Sequence, residues 1–180
     1  MLRNRRRHIT PPPTPDESLL RSLIDEHADA IYRVAFSVVR DRHLAEDIVQ
    51  ETVIKAWRAA PEWRGEGSLR SWILSIAHNN AVSVLRRARD ETRAPDDLPE
   101  RAGRDDVERT ADGRADLVAL AAALGDLDPL GRSVVVLRDI EGLSYQPVAD
   151  ALAIPLSTVK TRLLRARREL QRVLQAGVMP

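Results

Sequence analysis

From Asp16 onward the inward positions return every three or four residues, at Leu20, Leu23, Ile24, His27, Ile31, Val34 and Val38. That period marks an amphipathic helix, and it is the strongest constraint on what this chain can become. No stretch alternates with the two-residue period of a half-buried strand for long enough to count. The pattern predicts an all-α protein. A first helix runs to about Val39. Asp41 caps a second, with Leu44, Ile48, Val49, Val53, Ala56 and Trp57 facing inward until Pro61 ends it. After the glycine-containing loop "WRGEGS", Ser68 caps a third helix that buries Leu69, Trp72, Ile73, Ile76, Ala77, Val84 and Leu85.

The pattern then fails. Between Asp90 and Asp116 ten acids stand against five arginines, with Pro95, Pro99 and Gly103 and few large aliphatics. Such a composition buries too little surface to offset ordering entropy, so it reads as a linker. Periodicity resumes at Leu117, Leu120 and Leu124. Asp128 and Pro129 then suit the cap and first turn of a helix that faces Leu130, Val134, Leu137 and Ile140 inward, with Gly142 ending it. The opening "MLRNRRRHITPPPTPDE" is basic and proline-rich, the composition of a disordered tail.

The segment "GLSYQPVADALAIPLSTVKTRLLRARREL" holds the clearest functional signal. Ser144 can cap a short helix with Val148, Ala149 and Leu152 inward. Pro147 is tolerable in its first turn, where its missing N–H has no intrahelical acceptor. A break at Ala153 to Pro155 leads to a longer helix with the apolar stripe Val159, Leu163, Ala166, Leu170 and Val173. From Leu156 to Arg172 six basic side chains face the single acid Glu169. A solvated basic face on an ordinary helical hairpin would look similar. The short partner helix, the bend and the polar entry Ser157-Thr158 favour a helix-turn-helix, whose second helix enters the major groove. A guanidinium suits that place because its planar fork pairs with guanine O6 and N7 or clamps a phosphate. The candidate reading residues are Ser157, Thr158, Lys160, Thr161, Arg162, Arg165 and Arg168.

Two stretches carry a family resemblance. "LRDIEGLSYQPVADALAIPLSTVKTRLLRARREL" resembles the promoter-reading C-terminal domain of the extracytoplasmic-function (ECF, group IV) sigma factors of the sigma-70 family. "DRHLAEDIVQETVIKAWRAAPEWRGEGSLRSWILSIAHNNAVSVLRR" resembles the N-terminal domain of the same family, and both occur in the family's order. The chain departs from the family's common residues at Ser83, Val84, Leu127 and Pro147. The resemblance implies two small helical domains, a sigma-2-like helical bundle and a sigma-4-like helix-turn-helix, joined by a flexible acidic linker. The expected organisation is a tail over 1–15, the first domain over 16–90, the linker over 91–115 and the second domain over 116–176.

It also implies a role: binding RNA polymerase core at its clamp helices and flap, and directing it to promoter DNA. The C-terminal domain would read the −35 element as duplex, while the N-terminal domain would capture the −10 element as it melts. An anti-sigma factor is an expected further partner. Glu46, Asp47, Gln50 and Glu51, at three-and-four spacing on the second helix, match the segment that docks on the clamp helices. For the −10 element the candidates are Trp63, Arg64, Ser68, Ser71, His78, Asn79, Asn80, Arg86 and Arg87. A loop that accepts an unstacked base needs close backbone approach, donors and a flat wall, and "EWRGEGSLRSW" supplies all three. Trp63 either covers a core edge or stacks on a base.

Other classes fit poorly. The four histidines are scattered, none in an HExxH pair, and neither a phosphate loop nor a GxSxG elbow is present. No catalytic, cofactor or metal site is expected. Without cysteine there is no thiolate zinc site or disulfide, and no apolar run is long enough for membrane insertion, so a cytoplasmic protein is expected. The rival from another class is a stand-alone helix-turn-helix regulator, which binds duplex DNA alone and usually as a dimer.

Overall fold

The computed structural model describes residues 17–65, 67–91 and 122–177, and among them there is no strand. The expected tail lies outside the described residues, as does the expected linker apart from Glu91. Three long helices build the first domain: α1 (Glu17–Val39), α2 (Arg42–Ala59) and α3 (Leu69–Glu91). A short 3-10 turn, Ala60–Glu62, follows α2. The second domain begins with helical residues 122–126 and continues with α4 (Pro129–Val135), α5 (Tyr145–Leu152) and α6 (Leu156–Gly177).

Local chemistry sets most boundaries. Arg40 adopts φ 58 and donates its N–H to Phe36 O at 3.0 Å, which closes α1. Next, Asp41 caps α2 by accepting from Leu44 N at 2.9 Å. Ser68 accepts from Ser71 N at 3.1 Å, and Asp128 from Gly131 N at 3.0 Å. Past α4 the backbone widens into a π turn over Val136–Ile140. Gly142, at φ 74, then lets Leu143 N reach Leu137 O at 3.0 Å, a reversal that an L side chain would strain. Ser144 is the N-cap of α5 but makes no side-chain cap bond, so its expected hydroxyl cap is absent.

In the first domain α1, α2 and α3 pack mutually around Leu23, Ile31, Val34, Val53, Ile73 and Leu74. The inward stripe is rotated slightly from its sequence reading. Ile24 is 45% exposed and Leu44 39%, while Ala30, Ala35 and Ala45 are buried in their place. Small alanines let the helices approach closely and push the larger neighbours to the rim. In the second domain Val134, Leu137, Val148, Val159 and Leu163 form the interior. The two domains do not stand apart. Their apolar interiors are continuous, with α3 against α5 and α1 against α4.

Candidate nucleic-acid and polymerase interfaces

The α5–α6 pair is built by its break. Ala153 takes a left-handed conformation (φ 52), and Ile154 N returns to Ala149 O at 3.0 Å, so the chain turns within a few residues. Pro155 O then accepts from Thr158 N and Val159 N, starting α6. Val159, Leu163 and Ala166 anchor that helix with almost no exposure. The opposite face is consequently presented outward: Ser157, Lys160, Thr161, Arg165 and Arg168 are exposed, with Thr158 and Arg162 half-buried.

These cations are not equivalent. Arg162 pairs with Asp128 at 3.3 Å, the same carboxylate that caps α4. Arg167, one turn along, makes two hydrogen bonds to Asp139, at 2.9 and 2.5 Å, and this bonding raises its pKa. Lys160 and Arg138 both lie over the Tyr145 ring, at 5.9 and 4.9 Å from its centroid. Arg165 and Arg168 have no ion pair among the described residues. A stripe with two uncommitted guanidiniums and one loosely held one is electrostatically open to a polyanion.

In the first domain Trp63 stacks on Trp72, centroids 5.8 Å apart, and its indole N–H is buried without a partner. Beyond it the backbone passes through Gly65 (φ 75) and Gly67 (φ 80) before Ser68 caps α3. Ser71 donates its hydroxyl to Ser68 O at 2.8 Å. Arg64, Ser68, Asn79, Arg86 and Arg87 are exposed, and Ser71 is half-buried.

His78 and Asn80 point into the protein. Burial lowers the His78 pKa from 6.5 to about 4. Asn80 bridges α2 and α3, donating to Thr52 Oγ1 at 3.0 Å and accepting from Lys55 Nζ at 2.6 Å. Two of the nine candidates for −10 contact therefore sit behind the surface that the others share. Glu46, Asp47 and Gln50 are exposed on α2, and half-buried Glu51 pairs with Lys55 at 2.6 Å.

Two charged residues escaped the sequence reading. Glu141, which looks like an ordinary acid at a helix end, has a fully buried side chain that receives Arg33 and Arg70. Arg132 is 9% exposed and donates to four carbonyls, those of Leu124, Gly125, Leu127 and Ser37. Burial, with Arg40 nearby, lowers its pKa. The only sequence hint was an arginine at a position that helical spacing places beside core residues.

The family Sigma-70 region 2 matches residues 23–91, and Sigma-70 region 4 matches residues 117–170. Curated relatives agree. The ECF RNA polymerase sigma factor SigL of Mycobacterium tuberculosis is 33% identical over 166 residues, covering 89% of this chain and 91% of its own. The chain belongs to the ECF sigma factors of the sigma-70 family. Members are non-enzymatic factors of transcription initiation, and this one is an alternative sigma factor. It is 34% identical to ECF sigma factor SigE of Mycolicibacterium smegmatis over 83% of the chain, but spans only 59% of that relative's length. Among solved structures it is similar to the sigma factor RpoE of Bartonella quintana in complex with anti-sigma factor NepR, with TM-score 0.73 and 27% identity over 86% of this chain and 96% of that one. CnrH in complex with the cytosolic domain of CnrY gives TM-score 0.64 at 27% identity, over 89% and 90% of the two chains. No described helix is long and apolar enough to cross a membrane.

Proposed function

We propose that this ECF sigma factor, placed in group IV, divides promoter recognition between its two domains. The outer face of α2, with Glu46, Asp47, Gln50 and Glu51, docks on basic side chains of the polymerase core. The exposed face of α6 reads the −35 element as duplex, and the loop before α3, together with Asn79, Arg86 and Arg87, receives the −10 element as it melts. Asn80 serves this surface from behind by tying α3 to Thr52 and Lys55 of α2, and His78 is buried behind it. The observation that carries the reading is the α6 face itself, a basic stripe held outward by the buried Val159, Leu163 and Ala166 of a helix-turn-helix. The likeness to RpoE and CnrH in their complexes supports an anti-sigma factor as a further partner, and the work of a sigma factor supports a cytoplasmic location.

In-vitro transcription with core polymerase, with and without this protein, tests the reading. Promoter-directed transcript should appear only when both are present. Tight binding of the isolated protein to duplex half-sites as a dimer would instead identify a stand-alone regulator. Reversing Asp47 and Glu51 to lysine puts like charges against a basic partner, so core binding should weaken and transcription disappear while helicity is kept. Retained affinity for core in that variant would move the docking surface elsewhere.

A further inference from the structure

Lys55 is assigned neither to the DNA surface nor to the docking face, yet it joins the two. From α2 its ammonium reaches Glu51 Oε1 at 2.6 Å and Asn80 Oδ1 of α3 at 2.6 Å. The contact with Asn80 is fixed. That amide is buried and is oriented by its own bond to Thr52 Oγ1, on a fully buried side chain, at 3.0 Å. The contact with Glu51 is loose. Lys55 and Glu51 keep 49% and 44% of their side-chain surfaces in water, where such pairs are weak and readily exchanged. Seven positions beyond Asn80, two turns and about 10 Å along the same side of α3, Arg87 stands exposed with no ion pair among the described residues.

We propose that Lys55 is a phosphate contact for the melted strand, kept neutralised by Glu51 until polymerase takes that carboxylate, and that Asn80 is the positioning residue that holds the ammonium at α3. The inference rests on the sigma-factor reading, which gives Glu51 to the polymerase core and Asn79, Arg86 and Arg87 to the strand.

An ammonium has three N–H donors. Lys55 gives one to Glu51 and one to Asn80, which leaves a third. An amide accepts a hydrogen bond without cancelling charge, so Glu51 alone neutralises Lys55 among the described residues. While that pair stands, an approaching phosphate meets little net charge and a carboxylate that repels it. Once a basic side chain of the core draws Glu51 away, the ammonium keeps its place, its full charge and a free donor. A strand phosphate then fills the position the carboxylate left. Docking and strand capture are thereby coupled through one side chain, and by linkage a bound strand must tighten the hold on core by the same factor.

Titration of the full chain with a labelled single-stranded oligonucleotide of mixed sequence, across a salt series, tests this. Without polymerase, Glu51→Gln should bind several-fold more tightly than wild type, with a logarithmic salt slope steeper by about 0.7, as expected for one more phosphate contact on a single strand. Adding Lys55→Met should return both to wild-type values. Glu46→Gln changes net charge equally but lies outside the pair with Lys55, so its gain should be much smaller; an equal gain overturns the masking. Asn80→Asp keeps the acceptor and adds a charge that polymerase does not remove. It should cancel the gain of Glu51→Gln, which a merely structural amide would not do, and a gain that survives overturns the placement by Asn80. If that variant does not fold, the Lys55 variants decide alone. With saturating core, Lys55→Met should hold the strand several-fold less tightly and with a slope shallower by about 0.7, whereas Lys55→Arg retains both. Unchanged strand affinity in that holoenzyme overturns the phosphate contact. So does a loss confined to core affinity, which would give the lysine to polymerase. Absence of transcription from wild type with core would fall on the sigma-factor reading instead, leaving the polymerase-free titration to judge the masking.

Discussion

Helices α3 and α6 are both proposed to touch promoter DNA, and they use their polar residues in opposite ways. α6 lies at the edge of its domain, buries one narrow stripe and turns its arginines outward. α3 is packed by α1, α2 and α5, so His78 and Asn80 become interior groups and only part of its polar sequence faces solvent. The difference teaches that polar identity on a helix is a guide to ligand contact only where one side of that helix is free. When three neighbours surround a helix, its polar side chains are drawn inside: the Asn80 amide bonds Thr52 and Lys55, and His78 Nδ1 is buried without a hydrogen-bond partner.

The contrast is sharpest in the response to mutation. Arg162→Ala with Arg165→Ala should weaken promoter binding by the holoenzyme by about 1–3 kcal/mol at each base pair these side chains read, measured by titration of labelled promoter. Folding stability should barely move, because the Arg162–Asp128 pair is exposed and such pairs contribute about 0–1 kcal/mol. Arg165→Ala alone should cost more than Arg162→Ala alone, since Arg162 must first leave Asp128. Equal losses of promoter affinity from both single variants would break the comparison.

For α3 the matching experiment is a pH series. The imidazole of His78 is held at about 4 against 6.5 in the unfolded chain, so the native state keeps it neutral. Its contribution is complete above about pH 6.5 and is lost as pH falls toward 4. Between pH 7 and 5 the loss should be roughly 2 kcal/mol, read from urea midpoints. His78→Gln should flatten that slope. An unchanged slope in the variant would put His78 at the surface.

A smaller effect separates two adjacent asparagines. Asn80→Ala should destabilise by about 1–2 kcal/mol, because Thr52 loses its donor inside the protein and Lys55 loses an acceptor. Asn79→Ala should change stability by no more than about 0.5 kcal/mol and instead weaken open-complex formation. If the two variants exchange phenotypes, the orientation of α3 is wrong.

What could be read in advance was local. Asp41, Ser68 and Asp128 announce their helices because a cap acts within three residues, and Gly142 marks a reversal that its positive φ requires. The outward stripe of α6 followed from one strong period and a run of like charge. The Glu141 seam was illegible for the opposite reason: its partners lie 108 and 71 residues away, and an acid at a helix end gives no sign of being covered. Ile24 and Leu44 were misplaced because periodicity names a face about 100° wide but not its centre. His78 and Asn80 show the same limit, since spacing tells which residues share a side and not how many sides are occupied.

Arg132 offers a different kind of consequence. Its four acceptors are neutral carbonyl dipoles in the interior, whereas the α6 arginines meet their ligand through net charge in water. Dissolved ions shield the second kind of attraction strongly and the first hardly at all. Ionic strength is therefore a selective solvent for this molecule. Added salt should strip it from nucleic acid along a steep logarithmic line, while the joint where Arg132 ties α4 to the end of α1 stays fastened.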